Sequence, residues 1–365
     1  MMSSVAAEFT KGLQHSTAFV SLLAYNGCGV IRMKFSSKEI IRAAIVGFVI
    51  PGILLHLVVA LAHPQETVLP TGSAVTLPQP TLSTTEPTKR LFLPVLVGDS
   101  VEQMDLEQYL LGVLLSEIPA EFEPEALKAQ AVAARTYALK CHVQGYKHAG
   151  AICTVSSCCQ GYMTEVEYLE AGGKKADIAK MLSAVKGTEG QVLCYDGKLI
   201  LATYFDSSGG MTEDAADVWG QVYPYLQAVP SPGETASPNY ETEKSFTQAE
   251  LEAALGCTLG EDAQQWFSDP VLTPGNGVES MCIGGVTYKG TTLRSLLGLR
   301  STAFTVEIRQ EQIVFRTRGF GHRVGLSQYG AEAMAMNGST YAQILAHYYP
   351  GAELTLLEAG LEIIS

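Results

Sequence analysis

Residues 106–139 read LEQYLLGVLLSEIPAEFEPEALKAQAVAARTYAL. How this stretch is parsed sets the fold class. Asp105, just before it, offers an N-cap carboxylate. Leu106, Tyr109, Leu110 and Val113 then share one face of a helix predicted from Leu106 to about Ser116. Pro119 ends that helix, and Pro124 stands where the first turn of the next one begins. The second helix is predicted over Pro124 to Lys140. Its alanines favour helix and let neighbours approach closely.

Working outward, Leu91 to Val97 (LFLPVLV) predicts a strand, at a sheet edge because Pro94 lacks a donor. Gln191–Cys194 and Leu199–Phe205 predict strands around the turn Asp196-Gly197. Thr247 to Leu255 reads as a helix capped by Thr247 and followed by Gly256. Thr302–Ile308 and Gln312–Thr317 predict a hairpin, and Ala331–Met336 and Tyr341–Tyr348 predict short helices. Helices and strands mixed without regular βαβ alternation point to an α+β fold. Residues 91–365 form one domain by this reading, long enough to bury a real core.

Ahead of that domain, Ala43 to Ala62 (AAIVGFVIPGILLHLVVALA) is 20 residues without a charge. A helix of about 20 residues spans a bilayer core, and Pro51 is tolerated there. Lys11, Arg32, Lys34, Lys38 and Arg42 against Glu8 and Glu39 leave the N-terminal end at +3 and the remainder of this −13 chain at −16. Basic residues beside a span stay cytoplasmic, which predicts residues 1–42 inside and the domain outside. The competing reading is a cleaved signal peptide, whose apolar core is normally shorter, about 7–15 residues. Residues 1–32 show no clear pattern, and Met33-Lys34 before the apolar run looks like a translation start. Residues 63–90, rich in Pro, Thr and Ser, form a solvated linker.

The acidic balance, Lys+Arg 24 against Asp+Glu 37, excludes a nucleic-acid binder built on a basic patch. A hydrophobic share of 47% excludes a wholly disordered chain. Cys28 precedes the apolar run; Cys141, Cys153, Cys158, Cys159, Cys194, Cys257 and Cys282 follow it, an odd number. His148-x4-Cys153-x4-Cys158-Cys159 offers four ligands, a complete set for tetrahedral zinc. A Cys153–Cys158 or Cys153–Cys159 disulfide, or reduced buried thiols, are the alternatives.

Taken singly, the polar residues have bland readings. Glu117, before Ile118-Pro119, is a helix-end glutamate or a partly desolvated general acid. Arg135 is a buried ion-pair partner or a donor to a ligand. Asp206-Ser207-Ser208-Gly209-Gly210 is a hydroxyl-rich turn. Tyr204 and Trp219 either pack in the core or stack on a ligand. Residues 319–330, GFGHRVGLSQYG, have glycines spaced for a tight loop but lack the βαβ setting of a dinucleotide site.

Together, however, residues 106–139, YFDSSGGMTEDAADVWG (Tyr204–Gly220) and GFGHRVGLSQYGAEAMAMNGSTYAQILAHYYPGAEL (Gly319–Leu354) resemble the stage II sporulation protein D family of endospore-forming bacteria. With LRSLLGLRSTAF from Leu293, the resemblance runs through residues 91–365. It implies a membrane-anchored lytic transglycosylase that cuts the β-1,4 bond between N-acetylmuramic acid and N-acetylglucosamine in glycan stripped of stem peptides. Glu117 falls on the family's acid/base. The resemblance also implies Arg135, Tyr204, Ser207, Ser208, Gly209, His322, Ser327 and Gln328 as groove residues, and a structural zinc on His148, Cys153, Cys158 and Cys159. Stage II sporulation proteins P and M, an amidase/endopeptidase and a polytopic membrane protein, are the implied partners, engulfment the implied process, and the mother-cell engulfing membrane the implied location. Two departures stand out. Phe205 and Asp206 occupy a stretch where relatives carry a histidine, and Arg323 replaces the second glycine of a Gly-His-Gly pattern. The rival reading is a non-catalytic amidase enhancer or wall-binding module.

Overall fold

Asp105 caps the first helix as its position predicts. Its carboxylate accepts from the backbone N–H groups of Glu107 and Gln108, each at 3.1 Å. Such a cap contributes about 1 kcal/mol. In the computed structural model, which describes residues 19–26, 29–36, 90–145 and 148–357, that helix is Leu106–Glu117. It buries Leu106 and every residue from Tyr109 to Leu115. It is therefore a core helix with little solvent face, and Glu117 is the last residue carried on it.

The second helix, Pro124–Val143, is the axis of the domain. It packs against Leu106–Glu117, Lys175–Gly187, Gln328–Met336 and Tyr341–Tyr348. Four neighbours fit around one helix because Ala126, Ala129, Ala131, Ala133, Ala134 and Ala138, all buried, keep it thin. The Lys175–Gly187 helix, and the short Glu165–Glu170 helix before it, were not foreseen. The second announces itself by a capping box, Thr164 with Glu167, that sequence reading could have found.

Arg135 corrects an expectation. It is fully buried inside this helix cluster rather than on a groove. Its Nε and Nη2 donate to Glu107 at 2.9 and 2.6 Å, and the rest of the fork reaches Thr188 Oγ1 and the carbonyls of Gln191 and Val185. All its directions are used by protein, so none is left for a sugar.

Strand Phe92–Val97 corrects another. It is central, not at an edge: Ser100–Asp105 pairs antiparallel on one side and Ile152–Cys153 parallel on the other. Pro94 is accommodated because the parallel partner spans only Val95 and Leu96. The predicted strand Leu199–Phe205 splits in two. Lys198–Leu199 closes a hairpin with Gln191–Tyr195. Tyr204–Phe205 pairs in parallel with Leu326–Ser327, Leu326 opposite Tyr204. That two-residue pairing brings the Tyr204 turn and the 319–330 loop together.

Residues from 241 to 318 build a second core. Strands Phe304–Arg309, Gln312–Arg318 and Glu241–Phe246 form one sheet, with the hairpin close to its predicted bounds. Helices Gln248–Leu255 and Gly290–Leu297 pack beside it through Leu251, Leu293 and Leu297. Phe315 sits at its centre, met edge-on by Phe246 and Phe304 at 5.8 and 5.7 Å.

Mixed helices and strands without regular βαβ alternation confirm the α+β class. In the N-terminal unit, Phe19–Asn26 and Gly29–Ser36 pair antiparallel from Phe19↔Ser36 to Asn26↔Gly29, where the sequence showed no pattern. The expected membrane span at Ala43–Ala62 and the linker lie outside the described residues. Among the described residues, no helix is long and apolar enough to cross a membrane.

Replacing Arg135 by alanine strands the Glu107 carboxylate and two carbonyls. We expect a loss of about 3 kcal/mol, the lower end for a broken buried pair because Glu107 stays partly exposed. Urea unfolding measures it; an unchanged midpoint with weakened ligand binding would return Arg135 to the groove.

Candidate functional site

A cleft of about 950 Å³ opens beside the end of the first helix. Glu117, Tyr204, His322 and Gln328 line it, as do Cys158 and Cys159. Six residues singled out from the sequence thus share one cavity. The elements that place them are the helix end, the segment after Cys153, the Tyr204 turn and the 319–330 loop.

Glu117 Oε1 accepts a short hydrogen bond from the Gly161 backbone N–H. A β-carbon on Gly161 would lie 2.7 Å from Glu117 Oε1 and 2.5 Å from Ser116 Oγ. Only glycine lets the backbone reach the carboxyl. Burial raises the Glu117 pKa above the ordinary carboxylate range, and the Gly161 hydrogen bond opposes this more weakly. Gln328 Nε2 donates to the Glu117 backbone carbonyl at 3.1 Å, so this groove residue also braces the helix end.

The segment that carries Gly161 is itself tied down. Gln160 is buried; its Nε2 donates to Tyr204 Oη at 2.9 Å and its Oε1 accepts from Tyr109 Oη at 3.1 Å. Tyr162 stacks on Tyr109 with ring centroids 5.7 Å apart, in space that Gly112 leaves by having no side chain. One strap, residues 158–163, thus connects the cysteines, the Tyr204 wall and the Glu117 carboxyl.

His322 Nδ1 accepts from Val324 N–H at 3.1 Å. The ring proton therefore resides on Nε2, and the ring also bonds the Tyr204 backbone carbonyl. Burial first, then the Arg294 charge, pushes its pKa down to about 4, so it is a neutral imidazole near pH 7. Phe205 and Trp219 flank the ring at 5.6 and 5.3 Å. Trp219 also lines the cleft, presenting an aromatic face beside neutral donors.

Arg323, the departure from Gly-His-Gly, has a structural explanation. Its φ of 67° is the left-handed conformation a glycine would adopt freely. Here the buried guanidinium offsets that strain. It pairs with buried Glu213 at 2.8 Å and donates to the carbonyls of Ser208, Met211 and Gly275.

Three expected groove residues, Ser208, Gly209 and Ser327, serve a different centre. Ser207, Ser208 and Ser327 are fully buried. Glu234, which sequence reading missed, accepts from Ser208 N–H at 2.9 Å, Gly209 N–H at 2.8 Å, Ser231 Oγ at 2.7 Å, and from the hydroxyls of Ser208 and Ser327. Ser207 instead donates to Asp206 at 2.7 Å. These hydroxyls and Gly209 knit the Tyr204 turn to the 319–330 loop behind the cleft wall. The correction is physical: small hydroxyls next to glycines cap buried backbone as readily as they bind sugar. Asp206, given no role from sequence, lines the cleft and is held by Ser237 Oγ at 2.9 Å. Arg294, on helix Gly290–Leu297, also lines it and carried no assigned role either.

The four predicted metal ligands do converge. One ligand atom each from His148, Cys153, Cys158 and Cys159 lies within 4.8 Å of the others. His148 Nε2 is 3.4 Å from Cys158 Sγ, and the described cysteines are free thiols. Zinc–sulfur bonds of about 2.3 Å set the ligand separations in a tetrahedron at roughly 3.8 Å, which small shifts would reach. The residues present fit such an ion.

The stage II sporulation protein family model matches residues 98–195, from the first strand pair through the strap to Tyr195. Stage II sporulation protein D of Bacillus subtilis (strain 168) is 39% identical over 270 residues, 72% of this chain and 78% of that protein. Its counterpart in Bacillus amyloliquefaciens is 38% identical over 268 residues, 72% of this chain and 77% of that protein. An amidase enhancer of Bacillus subtilis (strain 168) is 29% identical over 301 residues, 67% of this chain and 40% of that protein.

The geometry sets two titrations apart. By carbon-detected NMR, His322 should titrate near pH 4 and the Glu117 carboxyl above the ordinary carboxylate range. Gly161→Ala removes the hydrogen bond that lowers Glu117, so its titration should move further up. An imidazole titrating near its ordinary value, or a Glu117 untouched by Gly161→Ala, would contradict this packing.

Proposed function

The chain belongs to the stage II sporulation protein D family, and from that membership we propose that it is a peptidoglycan lytic transglycosylase of sporulation. The observation that carries the reading is a carboxyl whose pKa burial raises, held by the Gly161 N–H at the wall of a cleft with neutral donors and an aromatic face. Such a site suits an uncharged leaving oxygen. Glu117 donates its proton to the glycosidic oxygen between N-acetylmuramic acid and N-acetylglucosamine as the C1–O4 bond breaks. The resulting carboxylate then takes the proton of the muramic C6 hydroxyl as O6 closes on C1. The products are a 1,6-anhydro end and a free 4-hydroxyl, so no water and no second carboxylate are consumed. Tyr204 holds the sugar by a neutral hydrogen bond from its hydroxyl, His322 shapes the wall beside it, and Trp219 offers it a stacking face.

The substrate by this reading is glycan already freed of stem peptides. A stage II sporulation protein P-type amidase would supply it, and a stage II sporulation protein M-type membrane protein would share the assembly. The span predicted at Ala43–Ala62 would hold the domain on the outer face of the engulfing membrane. His148, Cys153, Cys158 and Cys159 would hold a zinc that cross-links the strap. With four protein ligands it would leave no site for substrate and is structural. The amidase-enhancer relative favours a second reading, wall binding that stimulates another enzyme without cutting.

Four outcomes are expected. Wild-type full-length chain releases 1,6-anhydro products from peptide-stripped glycan by mass spectrometry. Glu117→Gln lowers that release at least a hundredfold with an unchanged unfolding midpoint; retained release would remove Glu117 as the acid and leave the enhancer reading. The alkaline limb of kcat/KM should lie above the ordinary carboxylate range, because activity needs the protonated form and falls as pH rises through the raised pKa. Protein purified without chelator should carry about one zinc per chain, lost in Cys153→Ser; a content well below one would leave only the thiols.

A further inference from the structure

Most arginines among the described residues are spoken for. Buried Arg135 and Arg323 spend their donors on carboxylates and carbonyls. Arg309 and Arg316 share the carboxylate of Glu243 on an exposed sheet face. Arg300 lies over the Phe320 ring at 4.6 Å. Arg294 differs. It stands half-buried in the cleft wall, and among the described residues its guanidinium has no hydrogen bond or ion pair. A guanidinium stays charged even when burial opposes it, and an unpaired charge in a partly desolvated wall is costly to keep. Arginine's planar fork matches a carboxylate by two parallel hydrogen bonds.

We propose that Arg294 reads the free lactyl carboxylate of muramic acid in peptide-stripped glycan. This rests on the reading of the cleft as a glycan groove and adds the group that sets its substrate preference. While the stem peptide is attached, the lactyl carbonyl is a neutral amide. Once an amidase has removed the peptide, the same position carries a negative charge, the ionised group of each disaccharide. A neutral cleft built of Tyr204, His322 and Trp219 cannot tell these states apart. A lone guanidinium can, because it pairs with the carboxylate and stays unpaired beside the amide. Its charge is felt at His322, which places the anion reader on the His322 wall of the cleft. It also answers a problem of bulk charge. Stripped glycan is a polyanion and this chain carries −13, so attraction must be local.

Binding tests this without cleavage. Full-length Glu117→Gln protein is titrated with amidase-stripped glycan and with the same glycan methyl-esterified at the lactyl carboxyl. Esterification should weaken binding about ten- to a hundredfold. Adding Arg294→Gln should weaken binding of the stripped glycan by a similar factor and make the two glycans equal. Arg294→Lys should restore part of the discrimination, and that part should fall with added salt. If esterification has no effect, or if Arg294→Gln weakens both glycans equally, the proposal is overturned. Ester-sensitive binding in a wild-type protein that releases no anhydro products would retain this inference and remove the cleavage reading. Anhydro release with ester-insensitive binding would do the reverse.

Discussion

A bare backbone pressed against a carboxyl organises this domain. Gly161 reaches Glu117 because neither it nor Gly112 has a side chain, one clearing the carboxyl and the other the Tyr162 ring. That contact requires the strap 158–163 to run along the first helix, and the strap in turn requires its own anchors. Gln160 supplies them on one side, bridging Tyr109 and Tyr204. The cluster of His148 with three cysteines stands at the other end. The thin, alanine-rich helix behind makes room for all of it, since a helix of larger side chains would force its four neighbours outward.

Charge is handled in two distinct ways. Arg135 with Glu107, Arg323 with Glu213, and Glu234 with its ring of hydroxyls are closed systems, saturated by the protein itself. They hold the walls rigid. Breaking any of them strands a buried polar group, which costs more than the intact pair contributes. Glu117 and Arg294 are the open ones, both facing the cleft. A carboxyl whose pKa burial raises and a cation held without a partner are states that the fold tolerates at a cost, and such exceptions cluster where ligands bind.

Much of this was legible in the sequence, for identifiable reasons. Asp105, Pro119 and Pro124 mark helix boundaries by local chemistry, so the central helices fell where expected. The spacing of His148, Cys153, Cys158 and Cys159 survived as a spatial cluster because the ligands lie in one short loop. What failed were inferences that needed distant partners. Arg135 cannot announce Glu107, nor Ser208 announce Glu234, because those pairings are made by tertiary packing across 28 and 26 positions. Gly161 carries no local signal at all; its meaning is the carboxyl it approaches. The strand Phe92–Val97 was misplaced to an edge because a proline argues about one ladder position and not about the length of the neighbouring strand.

The account turns on a single carboxyl serving in succession as acid and base, with the sugar's own hydroxyl as nucleophile. Digestion of peptide-stripped glycan by the full-length chain in water enriched in oxygen-18, followed by mass spectrometry of the new termini, tests this most directly. Intramolecular closure predicts 1,6-anhydro termini with no heavy oxygen. Reducing termini carrying one oxygen-18 would show that water attacks, and would contradict the assignment of Glu117 as the sole acid and base.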